Sequence, residues 1–232
     1  MKTSKGLTAL FALLIALVVL TGAVAVPLLC RPFYYAQIGP LGLTDTGLPE
    51  EEIRAAFDDV MDYCLGLRPD FAAGVLTFSR SGADHFADVR GLFLLDLRVL
   101  AVSLALLAAA MLLCWGKRLR PARPLGRGPG FWGAAGLGAV FLAVGGLAAL
   151  DFQRAFVVFH SVFFPGKTNW IFDWRTDPII LLLPETFFRN CALLVLGLIL
   201  LWCAVLIAAD LWLGRRGRPR EQKTAGASSC LE

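Results

Sequence analysis

The chain has 232 residues, 57% of them hydrophobic, with 22 Lys and Arg against 18 Asp and Glu for a net charge of +4. So apolar a composition excludes an ordinary soluble domain and calls for spans of about 20 apolar residues, each crossing a hydrocarbon layer roughly 30 Å thick. The excess of positive charge sits in short loops beside such spans, which argues for a topology signal and against a nucleic-acid partner.

The first apolar run covers residues 7–29. Ala23-Val24-Ala25 fits a small-x-small cleavage site, but the run is longer than a signal-peptide core of about 7–15 residues, so retention as a span is the expectation. Cys30 follows Leu29, which is bulky where lipoprotein processing needs a small residue. Residues 30–91 form a first outer segment, richer in acids than in bases. Within it "GLPEEEIRAAFDDVMDYCLG" reads as a helix: Pro49 and the Glu triplet suit its start, Ile53, Phe57, Val60 and Cys64 its apolar face, and Gly66 its stop. "GVLTFS" fits a short strand or an extended loop equally well.

The stretch "SGADHFADVR" then leads directly into a second span, residues 92–115. A helix continuous through both places His85, Asp88, Leu92 and Asp96 on one face. Asp96 falls about a turn inside the boundary, where a carboxylate is costly unless it faces protein or water. The loop 116–130 carries Lys117, Arg118, Arg120, Arg123 and Arg127 and no acid. A third span, 131–150, precedes a second outer segment, 151–189, rich in Phe and Trp. There Phe152, Phe156, Phe159 and Phe163 make one aromatic stripe, read as packing against spans or interfacial lipid. His160 lies just off the stripe, and Pro165-Gly166 ends the helix. The fourth span is 190–213, and the tail 214–232 is basic.

By the positive-inside rule the termini and the loop 116–130 face the cytoplasm. The expected architecture is an all-α integral membrane protein: four transmembrane helices and an extracytoplasmic cap formed by the two outer segments. Both histidines of the chain then lie at the outer membrane surface, near Asp84, Asp88, Asp151, Asp173 and Asp177.

Other chemistries find little support. The six cysteines form no CxxC and no zinc spacing. Cys114, Cys191 and Cys203 read as packing residues in or beside spans, and Cys230 makes no prenylation box. Cys30 and Cys64 are both outside and could pair, though nothing requires it. No HExxH and no G-x-S-x-G occurs, so no metal, cofactor or serine nucleophile is expected. For the histidines, two readings stay open: packing or pH response in a non-catalytic membrane sensor or assembly protein, and general acid–base catalysis.

Two blocks resemble a known family, "FSRSGADHFADVR" at Phe78–Arg90 and "FHSVFFPGKTNWIFDWRTDPIILLLPETFF" at Phe159–Phe188. Both are similar to the bacterial lipoprotein intramolecular transacylases (Lit), as is the four-span layout with an outer cap. The chain departs from the family pattern at Gly82, where a Glu three residues before the first His is usual. It departs again at Phe86-Ala87-Asp88-Val89-Arg90, against Met-x-Asp-Val-Lys. Asp84 is a candidate substitute for the missing acid.

The resemblance implies a cell-membrane enzyme that moves the sn-2 acyl chain of a lipoprotein's S-diacylglyceryl cysteine onto that cysteine's α-amino group. The implied substrate is a diacylglyceryl-modified bacterial lipoprotein in membrane lipid, and the implied product is its lyso form. His85 and His160 are the expected acid–base pair, with Asp88 orienting His85. Trp170 and Asp177 are expected to shape the loop around His160, and Asp84, Arg90 and Asp96 to support the site or orient the substrate.

Overall fold

The computed structural model describes residues 3–216, so Lys2, the basic tail past Arg216 and Cys230 lie outside the described residues. Four helices are long and apolar enough to cross a membrane: α1 (Lys5–Leu29), α4 (Arg80–Gly116), α5 (Pro129–Leu150) and α8 (Glu185–Arg216). Between them lie shorter elements: α2 (Arg31–Tyr35), α3 (Glu50–Cys64), α6 (Phe152–Phe163) and α7 (Ile179–Leu182).

Helix α1 is the axis of the bundle. It packs on α4, α5 and α8, and α5 packs on α8. Small residues set these approaches, as expected where lipid competes equally for apolar surface. At Gly133 of α5 an added Cβ would stand 2.5 Å from the Ala12 carbonyl oxygen of α1, so only glycine permits that crossing. Ala23, Ala134, Ile199 and Cys203 form the small buried core of the bundle, while Leu13, Leu112, Leu147 and Leu201 face outward. At the end carrying the basic loop, two-residue strands β1 (Thr3–Ser4) and β2 (Arg120–Pro121) pair in parallel.

The other end carries the cap. Helix α4 has 37 residues, which at 1.5 Å per residue is about 55 Å, well beyond the roughly 30 Å of a hydrocarbon core. Its first three turns therefore stand beside α3. The expected α3 forms: Pro49 is its N-cap, three glutamates fill its first turn, and Ile53, Phe57, Val60 and Cys64 are buried as their spacing required. Tyr34 stacks on Phe57 at 3.7 Å between centroids and donates its hydroxyl to the Leu182 carbonyl at 2.9 Å. Arg31 bridges Asp58 and Asp62, fastening α2 to α3.

"GVLTFS" forms no strand and runs as a loop to Ser79, the N-cap of α4. Cys30 and Cys64 are not joined: Cys30 is exposed, whereas Cys64 is buried with its Sγ toward the Phe86 carbonyl.

Candidate active site

His85 enters the site from the second turn of α4. The helix is anchored there twice: the Ser79 hydroxyl accepts from the Gly82 N–H at 3.0 Å, and the Ser79 N–H donates to Asp177 Oδ1 at 2.7 Å. His160 comes from the last turn of α6, whose start is capped by Asp151 accepting from the Arg154 N–H. The two imidazoles are brought together with ring centroids 5.9 Å apart and planes tilted by 31°. Both are buried, at 5% and 7% exposure.

The surroundings are aromatic. Phe164 and Phe172 stand edge-on to His85 at 5.1 and 5.4 Å, and Phe86 lies 5.9 Å away. Trp170 stacks on His160 at 4.6 Å, and the Phe156 ring lies 4.2 Å from it. Such a cage excludes water and disfavours charge on either ring. Burial pushes His160 below the ordinary imidazole range, partly offset by the carbonyl of Phe156. That carbonyl lies 2.8 Å from His160 Nδ1 and can only accept, so Nδ1 carries the proton and Nε2 presents a lone pair. His85 differs: its Nδ1 is enclosed with no hydrogen-bond partner among the described residues.

Asp88 corrects one expectation. It does not hydrogen-bond His85, but binds the Lys167 ammonium and accepts from Asn169 Nδ2 at 3.1 Å. The reason is electrostatic: a cation carried on the neighbouring loop holds the carboxylate more strongly than a neutral imidazole would. Arg90 also points elsewhere, donating to the carbonyls of Arg68 and Pro69 and lying 4.8 Å over the Tyr63 ring, so it fastens the cap. Asp96 is eleven residues from His85 and hence about 16 Å further along α4. It does not reach the histidine cage, and its Oδ2 is enclosed with no partner among the described residues.

Asp84 is exposed and does not substitute for an acid at position 82. The space beside Gly82 is filled by the Asp177 carboxylate, with which a Cβ at residue 82 would collide. Asp177 is 4% exposed and also accepts from the Thr176 hydroxyl at 2.7 Å. It ties the second outer segment to the start of α4, while Trp170 donates to the Lys167 carbonyl within that segment.

Sequence reasoning missed Phe164, Phe172, Lys167 and Asn169. The aromatic excess of residues 151–189 was the available signal for the first two. For Lys167 and Asn169 no local pattern exists, because their partner Asp88 is on another helix. The aromatic stripe of α6 is also reassigned in part: Phe156 packs on His160, while Phe159 and Phe163 are about half exposed. An apolar groove of about 350 Å³ adjoins the cage, lined by Phe156, Phe172, Trp174, Leu183, Pro184 and Phe188 among others.

The same architecture is known elsewhere. A solved structure of the membrane integral lipoprotein intramolecular transacylase Lit from Bacillus cereus superposes with a TM-score of 0.80 at 24% identity, over 90% of this chain and 95% of that one. Structures of that protein with an H85R and with an H85A mutation superpose with TM-scores of 0.74 at 23% identity, over 90% of this chain and 91% and 93% of theirs. No curated protein matches the chain. The model of the lipoprotein intramolecular transacylase Lit family matches residues 9–188, most of the length. The chain, a multi-pass membrane protein with a caged histidine pair, belongs to the lipoprotein intramolecular transacylase family.

Proposed function

We propose that the protein transfers the sn-2 acyl chain of an S-diacylglyceryl cysteine to the α-amino group of the same residue. The observation that carries this reading is the pair of buried imidazoles with centroids 5.9 Å apart, one with its Nε2 lone pair left open. The amine nitrogen attacks the ester carbonyl, the new N–C bond forms, and the bond to the sn-2 glyceryl oxygen breaks. The α-ammonium first gives one proton to one imidazole; as the nitrogen attacks, its second proton passes to the other imidazole, and the first, now an imidazolium, protonates the leaving oxygen.

An α-ammonium with a pKa near 8 passing a proton to an ordinary imidazole near 6.5 would cost about 2 kcal/mol, and the burial that lowers the proton affinity of both rings makes the step costlier here. Because amine and ester belong to one molecule, holding them in a reactive arrangement is a large part of the catalysis. The aromatic walls oppose hydrolysis of the ester, and the adjoining groove suits a hydrocarbon chain. The Trp170 indole N–H is engaged by the Lys167 carbonyl at 3.0 Å, so an oxyanion donor has to come from another group. On this reading the site faces the extracytoplasmic side and both termini the cytoplasm.

The test is mass spectrometry of a reporter lipoprotein's N-terminus, from cells with the protein, without it, and with His85→Ala or His160→Ala. An N-acyl, S-monoacylglyceryl cysteine should appear with the intact protein alone. An unchanged acylation pattern with well-expressed protein would overturn the reading.

A further inference from the structure

The loop after α6 crosses the start of α4 and lays a primary ammonium, Lys167 Nζ, on Asp88 Oδ1. The second oxygen of Asp88 accepts from Asn169 Nδ2 at 3.1 Å. A carboxylate only accepts, so this bond fixes the amide orientation and makes Asn169 Oδ1 an acceptor facing away from Asp88. That oxygen is enclosed and has no donor among the described residues. Asn169 precedes Trp170, which stacks on His160, and Asp88 lies one turn beyond His85 on the same helix face. An anionic acceptor one turn from His85 and an orphaned neutral acceptor next in sequence to the ring stacked on His160 thus meet at one place. The cation now held there is nearly half exposed.

We propose that Asp88 and Asn169 form a subsite for the substrate's α-ammonium, and that Lys167 is its built-in occupant, displaced when substrate enters. The substrate amine has the same chemistry as Lys167 Nζ: a primary ammonium with three N–H donors. Moving the flexible lysine outward frees Asp88 Oδ1 for the ammonium, and Asn169, whose Oδ1 has no donor among the described residues, supplies a neutral acceptor once its side chain turns toward the incoming group. His85, one turn from Asp88 on the same helix face, is then the imidazole next to the bound ammonium. The Lys167–Asp88 pair is on this view a placeholder that keeps a carboxylate from standing unpaired beside the cage until substrate arrives. This inference rests on the acyl-transfer reading above and names how its nucleophile is recognised.

The test uses the full chain in detergent and two unreactive probes. One is a cysteinyl peptide bearing an S-linked glyceryl with two ether-linked alkyl chains and a free α-amine. The other is the same molecule with the amine replaced by hydrogen. The intact protein should bind the amine form more tightly by about tenfold or more, as a hydrogen bond to a charged group allows. Asp88→Asn should remove that preference. Lys167→Met should tighten binding of the amine form and leave the deaminated form unchanged, because it removes a competitor. A purely structural latch predicts the opposite sign, with Lys167→Met weakening both probes, and that result would overturn the proposal. So would equal binding of the two probes by the intact protein, however the variants fold. Failure of the intact protein to bind either probe would instead overturn the acyl-transfer reading.

Discussion

The carboxylate of Asp177 occupies the space that a side chain at Gly82 would need, and accepts the N–H of Ser79 beside it. One acid thus caps the first turn of α4 and draws the second outer segment against it, within a turn of His85. Position 82 and position 177 are therefore coupled. Gly82→Ala forces the carboxylate out of its seat, and overpacking of this kind costs about 1–3 kcal/mol. We expect a lower melting temperature in detergent and reduced lyso-form production. A Gly82→Ala protein with wild-type stability and activity would show that the contact is easily rearranged.

The histidine pair makes a sharper statement about cooperation. A general acid–base residue typically contributes about 10²–10⁴-fold in rate, and groups acting as one unit are strongly non-additive. His85→Ala and His160→Ala are each expected to remove nearly all activity. The double variant should be little worse than either. Reporter lipoprotein acylation with matched protein levels measures all three. Additive losses would mean that the rings act independently.

Burial of His160 also fixes the sign of its pH dependence. Its proton affinity is lowered in the folded protein, so the ring stays neutral below the ordinary imidazole value of about 6.5. The acid limb of kcat/KM is expected below that value. The unfolded chain binds the proton more readily, so this group's contribution to stability is present above about pH 6.5 and falls as the pH drops toward the lower folded value. Activity and melting temperature measured from pH 5 to 8 check both signs. An acid limb above pH 7 would contradict them.

Much of this was legible from the chain, because hydropathy and helix periodicity report directly on burial. The four spans, α3 with its buried Ile53 and Phe57, and the continuity of α4 through His85 all follow from local pattern. Partner choice does not. Asp88 and His85 share a helix face, yet Asp88 is bound by Lys167 on a distant segment, which a one-helix reading has no means to see. The role of Asp177 at Gly82 was hidden for the same reason: it depends on a missing side chain and an acid that meet only in the fold.

The proposed topology rests on the basic loop, and labelling tests it. Ser81 is exposed at the cap end and Arg123 lies at the other end, paired with Asp210 at 2.8 Å. In a chain with the exposed Cys30 replaced by Ser, a membrane-impermeant thiol reagent added outside cells should label Ser81→Cys and spare Arg123→Cys. The reverse pattern would put the histidines on the cytoplasmic face.

Asp96 is the residue whose cost has no visible return. Its Oδ2 is enclosed in a predominantly apolar stretch of α4 without a donor, and an unsatisfied buried acceptor costs about 1–3 kcal/mol. Replacing it with an apolar side chain of similar size removes that cost and leaves nothing unpaired. Since the residue sits about 16 Å along the helix from His85, it does not touch the reacting groups. Asp96→Leu is therefore expected to raise the melting temperature by a few degrees, in line with about 2–4 °C per kcal/mol for a chain of this size, and to leave lyso-form production unchanged. Thermal unfolding in detergent and the reporter assay separate the two effects. A stabilised but inactive Asp96→Leu protein would show that the carboxylate is kept for the reaction, at the expense of the fold.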